Sequence, residues 1–227
     1  MTIETLHRDD LPLGGFAGLT EHRLVMDPSV FGQHSNVNTW SGIGNFVYLA
    51  DARFNPKGET RLHHHQEIDV ISVMIEGRID HQGSLENGQG LKAGDVQVQR
   101  AGGEGFSHNE INPDNTTNRM IQLWVAPEQA GERASYKLYQ PESGKVTRIY
   151  GGRHDQTDTL ASHTVLEIVS LNLDQEFILD RPFLAYCIGG EGIANTQDIV
   201  DGDLFKDEKL NFKAKTDLSL IVIYEIS

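Results

Sequence analysis

The chain has 227 residues, of which 38% are hydrophobic, enough for one large or two small packed domains. Its formal net charge of −14 repels phosphate backbones and anionic membranes, which argues against direct nucleic-acid or membrane binding and leaves a basic protein partner open. The lone cysteine, Cys187, rules out an intrachain disulfide and fits a reducing, cytoplasmic setting. Residues 1–15 lack the apolar core of a secretory signal, and no run approaches the roughly 18 apolar residues of a membrane span.

The 23 glycines favour turns and short strands over long helices. Residues 22–26 read as a strand, followed by a turn at Asp27-Pro28-Ser29. Residues 45–51 are apolar and aromatic and predict another strand, and Asn55-Pro56-Lys57-Gly58 is a turn that delivers the chain to His63-His64-His65. Alternate side chains of a strand share a face, so His63 and His65 point one way and His64 the other. Glu67 and Asp69 fall on the face of His65 if that strand stays regular. Either one is then an acceptor that fixes an imidazole tautomer or a solvated rim carboxylate.

Strands are predicted at residues 70–77 and 91–99, with turn chemistry at Asp80-His81-Gln82-Gly83 and again at residues 86–90. His81 is read as exposed on that hairpin. Gly102-Gly103-Glu104-Gly105 lacks the Lys-Ser/Thr of a phosphate loop and reads as a turn feeding His108. His108 and Glu110 share a face, with Asn109 opposite. If this strand lies near the first histidine pair, three imidazoles and one carboxylate converge, which suits a divalent transition metal with coordination positions left open. The donor set alone accepts iron(II), nickel, cobalt, manganese, copper or zinc. Residues 120–125 predict a further strand, and the polar stretch 127–145 marks the boundary between domains at 1–130 and 146–227.

The second half echoes the first. Ala185-Tyr186-Cys187-Ile188-Gly189-Gly190-Glu191-Gly192 follows the pattern of residues 72–79, and Val200-Asp201-Gly202-Asp203-Leu204 that of Lys92-Ala93-Gly94-Asp95-Val96. Counting from Gly192 and Gly202 as the histidines lie from Gly77 and Gly94 reaches Ile178, Asp180 and Thr216, and no histidine follows His163. A second barrel without a metal is expected, with Cys187 in its core.

The order His63-x-His65, Asp69, Gly77, Gly94-Asp95, Gly103, Gly105, His108-x-Glu110 resembles the cupin metal motif in its pirin version, with Ser84-Leu85 and Leu123-Trp124-Val125 also pirin-like. The resemblance covers residues 40–126. It departs at Asp69, where the family has Glu, and at His64, where it has Pro. One extra residue lies between Gly94 and Gly103, Ile111-Asn112-Pro113 replaces a Met-Pro ending, and Phe31-Gly32-Gln33-His34 is a degraded early segment. It implies an all-β fold of two tandem cupin-type jelly-roll barrels, a bicupin, with one iron held by His63, His65, His108 and Glu110. It further implies one of two roles. The first is a quercetin 2,3-dioxygenase-type oxygenase acting on a small aromatic substrate with dioxygen, Glu110 taking the 3-hydroxyl proton. The second is a metal-dependent regulatory protein that binds a protein partner without turnover. Fold alone does not choose between them.

Overall fold

The computed structural model describes residues 3–32, 38–85 and 89–226. The Gln33-His34 part of the early segment and residues 86–88 of the predicted hairpin turn lie outside the described residues. The described chain is all-β apart from short helical pieces at Arg8–Asp10 and Pro28–Phe31, and its strand pairings are antiparallel. No helix among the described residues is long and apolar enough to cross a membrane.

The chain forms two compact units, Leu11–Gln140 and a second made of Met1–Asp10 with Pro141–Ser227. The first ten residues, expected with the N-terminal barrel, therefore join the C-terminal unit. The reason is a long-range pairing: strand Glu4–His7 adds to the edge strand Asp203–Asp207, supported by an ion pair from Arg8 to Asp201 at 3.2 Å. An added strand covers backbone groups that an open edge would leave unpaired.

Each unit contains one large and one four-stranded sheet, laid out in the same order. In the N-terminal unit the large sheet runs Ser135–Tyr139, Val96–Arg100, Asp69–Glu76, Arg119–Val125, Phe46–Phe54, Leu19–Met26, Gly14–Phe16. In the C-terminal unit Asp203–Asp207, Phe183–Ile188, Leu218–Glu225, Ser162–Leu171 and Val146–Gly152 take the corresponding places. The small sheets match likewise: His63–His65, Phe106–Ile111, Arg78–Gly83 and Leu91–Lys92 against Glu176–Leu179, Leu210–Ala214, Glu191–Ala194 and Gln197–Val200.

The echoed Gly-Asp pairs are the same turn twice. Gly94 and Gly202 have φ of +90° and +93°, a conformation that strains any residue with a Cβ. The following aspartates accept from backbone N–H groups three residues earlier, Asp95 from Lys92 at 3.0 Å and Asp203 from Val200 at 2.8 Å. Such a local cap satisfies a turn donor that the ladder cannot reach.

The C-terminal barrel encloses a continuous apolar core that includes Val165, Phe183, Cys187, Phe205, Phe212 and Leu220. In strand Leu210–Ala214, Leu210, Phe212 and Ala214 are buried while Asn211 and Lys213 are exposed, the period-two pattern of a sheet with one wet face. Each fully buried large side chain contributes about 1.5–3 kcal/mol. The N-terminal barrel buries Phe54, Met74, Leu91 and Met120 together, but it also buries a set of polar side chains.

Candidate metal centre

Strand pairing brings the histidines together. Phe106–Ile111 runs antiparallel to His63–His65 with His108 directly opposite His63 and Phe106 opposite His65. Residues opposite one another across a ladder share a face, so His63, His65 and His108 all enter the barrel, and His64 lies exposed with its ring Nδ1 on Ser107 Oγ at 3.2 Å. Gly105 allows the close approach of these strands. A Cβ there would lie 2.6 Å from the His64 ring and 2.8 Å from the His65 carbonyl, and its φ of +70° suits glycine.

The three inward imidazoles meet through the same nitrogen. His108 Nε2 lies 3.0 Å from His63 Nε2 and 3.2 Å from His65 Nε2, and the ligand atoms of all three lie within 4.8 Å of one another. His63 Nδ1 donates to the Arg61 carbonyl at 2.9 Å, which leaves its Nε2 lone pair free. Two imidazole nitrogens bound at right angles to a metal at about 2.1 Å would be about 3.0 Å apart, so the cluster fits a cation of that size. Burial depresses the His65 pKa to about 4, helped by charge repulsion from His63 and His64. Burial depresses His108 further, to about 2, with His65, His63 and His81 adding to it. Both are held neutral, as ligands must be.

Glu110, read from the sequence as the fourth donor, is buried and lines the same small chamber of about 50 Å³ as the three histidines. It is not among the atoms grouped within 4.8 Å; its Oε1 accepts from Ser72 Oγ at 3.2 Å. Burial raises its pKa to about 7, against the opposing hydrogen bond from Ser72. Its backbone is fixed by Thr60, whose hydroxyl accepts from the Glu110 N–H at 3.0 Å.

Two other expectations near the site are corrected. Strand His63–His65 does not continue to Asp69, because Glu67 turns the chain with a φ of +52°. Glu67 Oε1 then accepts from the Gly131 N–H at 2.9 Å, and the fully buried Asp69 pairs with Arg100 at 2.9 Å, so neither carboxylate meets an imidazole through these bonds. His81 is not on an exposed turn. It is buried in strand Arg78–Gly83, and its Nε2 lies 3.1 Å from His108 Nδ1.

Outside the chamber opens a cleft of about 780 Å³ with a wall of Phe31, Tyr48 and Trp124, their ring centroids 4.6–6.0 Å apart. In its lining, the buried Glu21 accepts from Tyr48 Oη at 3.1 Å and from Arg23 Nε at 2.6 Å. The aromatic wall was not anticipated: its members come from three distant segments, and only their fold position unites them.

A three-histidine cluster with His65 and His108 buried, at the foot of an aromatic cleft in one of two barrels of matched strand order, defines a bicupin with a candidate metal centre. Residues 25–125 match the family model described as Pirin, so this part of the chain is similar to that family. A pirin-like protein of Caulobacter vibrioides is 28% identical over 71% of this chain and 75% of its own length. The quercetin 2,3-dioxygenase of Escherichia coli K12 is 33% identical over a shorter stretch, 33% of this chain and 32% of that protein. The crystal structure of the bacterial pirin YhhW from Escherichia coli in complex with nickel(II) overlays with a TM-score of 0.83, covering 98% of each chain at 18% identity, which shows the shared fold.

Proposed function

We propose that this chain is a metal-dependent oxygenase of the quercetin 2,3-dioxygenase type, opening the ring of a flavonol-like substrate with dioxygen and releasing carbon monoxide. The observation that carries this reading is the meeting of three imidazole Nε2 atoms within a small chamber that opens to an aromatic-walled cleft. A metal held by His63, His65 and His108, iron(II) by family resemblance, would supply Lewis-acid polarisation of a hydroxy-ketone and redox access to dioxygen.

The chain's own residues do the rest. Phe31, Tyr48 and Trp124 offer planar contact for a polyhydroxylated aromatic. His65, His108 and Glu110 are buried, which strengthens the charge interactions among them. Glu110 is the base for the substrate's 3-hydroxyl, its carboxylate lining the chamber beside the three imidazoles. Its carboxylate, turned from Ser72 toward the imidazoles, would serve as a fourth ligand. A carboxylate can bind through one oxygen and accept a proton on the other, which a neutral imidazole bound through Nε2 cannot.

The test is flavonol absorbance decay under air, with metal content determined on the same sample. Wild type loaded with iron(II) turns quercetin over, and Glu110→Gln retains much of the metal but loses about 10²–10⁴ in rate. Equal rates at matched metal loading would remove Glu110 from the mechanism. No turnover by the metal-loaded wild type, with iron(II) or with nickel(II), would replace the oxygenase reading by that of a metal-dependent regulatory protein.

A further inference from the structure

The second ring nitrogen of His108 faces a polar chain that crosses the barrel interior. Tyr136 Oη donates to Gln97 Oε1 at 3.3 Å, and Gln97 Nε2 donates to Gln99 Oε1 at 2.8 Å. Gln99 Nε2 then donates to His81 Nε2 at 3.4 Å. Two atoms lie against His108 Nδ1: Gln99 Oε1 at 3.2 Å and His81 Nε2 at 3.1 Å. His81, Gln97, Gln99 and His108 are all buried, so water does not substitute for these partners.

The direction of the chain decides the tautomer. An amide whose carbonyl accepts from Tyr136 presents its NH₂ to Gln99, and Gln99, accepting there, presents its own NH₂ to His81 Nε2. His81 Nε2 must then carry a lone pair. Gln99 Oε1 is thus an acceptor and His81 Nε2 carries no proton, so His108 must meet them with an N–H. Its Nε2 is left unprotonated, facing His63 and His65.

We infer that His81 and Gln99 are positioning residues that lock His108 in the Nδ1–H tautomer, with its Nε2 lone pair aimed at the centre. This rests on the metal-centre reading for its purpose, but not for its geometry. An imidazole in water favours the opposite tautomer, so without the lock His108 would have to move its proton before binding a cation. Outer partners of this kind change metal affinity by about 10–100-fold.

The experiment uses full-length protein labelled with ¹⁵N on histidine, with the ring nitrogens of His108 assigned by their loss in His108→Asn. In metal-free wild type, His108 shows Nδ1–H and a bare Nε2. His81→Leu/Gln99→Leu shifts it toward Nε2–H. Cobalt(II) affinity, measured by chelator competition, falls about 10–100-fold, and the visible spectrum of the bound cobalt changes. His81→Gln, whose carboxamide oxygen still reaches His108 Nδ1, restores both. If the double variant does not fold, each single variant shows the same changes in smaller measure. A protonated Nε2 in the wild type, or an unchanged tautomer and cobalt affinity in the variants, overturns the inference. Wild type that shows the bare Nε2 yet takes up no cobalt would leave the tautomer lock standing and remove the metal-centre reading instead.

Discussion

The two barrels share strand order, turn chemistry and even the Gly-Asp cap, yet their interiors differ in kind. Across the paired strands of the N-terminal small sheet, His63 faces His108; across the matching strands of the C-terminal sheet, Phe177 faces Phe212. One barrel uses its interior to hold polar groups, each supported by a second polar group: Glu110 by Ser72, His108 by His81 and Gln99. The other fills the same space with Phe177, Leu179, Leu210 and Phe212. The same backbone therefore supports either a reactive interior or a stabilising one. A chain that keeps one of each can place the cost of buried polar groups in one unit and pack the other for stability.

The largest effect that would sharpen this contrast is on metal content. Metal analysis of protein purified without a histidine tag should find one ion per chain, and His63→Ala or His108→Ala should each remove most of it. Two ions per chain, with one lost on changes near Asp180 or Thr216, would erase the distinction between the barrels.

Phe212→Ala probes the other side. Removal of a buried phenylalanine costs about 3–5 kcal/mol, so thermal unfolding should begin at a clearly lower temperature. Metal content of the folded protein should be unchanged, which differential scanning calorimetry with metal analysis on one sample would verify. A parallel loss of metal would show that the two interiors are coupled.

The smallest effect concerns the cost of the polar interior without metal. His65 and His108 have folded pKa values below the ordinary 6.5, so below that pH the unfolded chain binds protons that the folded one refuses. Metal-free protein should then lose stability as the pH falls from about 6.5 toward 4. Glu110 acts in the opposite sense. Raised from 4.5 to about 7, it keeps in the folded state a proton that the unfolded chain has released, and its penalty grows as the pH rises across that window. Metal-free Glu110→Gln should accordingly melt above wild type at pH 8, by about 2–4 °C for each kcal/mol recovered, with the gain vanishing near pH 4.5. A gain that instead grew toward acid would refute this account of Glu110.

Much of the site was legible because strands repeat every two residues. His63 with His65, and His108 with Glu110, declare their shared faces from spacing alone. The same rule applied to strand Arg78–Gly83 would have found His81: Ile79 and His81 are its buried positions, while Arg78, Asp80 and Gln82 are exposed. Its side chain was instead read through the turn-forming residues beside it. What spacing could not supply was long-range. Asp69 is claimed by Arg100, the aromatic wall is assembled from three segments, and Glu4–His7 finds its partner near the other end of the chain. Counting into the second barrel overshot as well. Its strand opposite Glu176–Leu179 is Leu210–Ala214, so Thr216 lies past its end, and Ile178 is exposed.

The pairing of Glu4–His7 with Asp203–Asp207 also sets an order of events during synthesis. Strand Glu4–His7 leaves the ribosome well before the strand it pairs with. At about 5–20 residues per second it waits roughly 10–40 s for its partner, while residues 11–140 emerge and can close their own barrel. In that interval it is an unpaired extended segment on a nascent chain. Its short length and its Glu4 and His7, together with the charged Arg8-Asp9-Asp10 that follows, make it a poor template for another chain's edge.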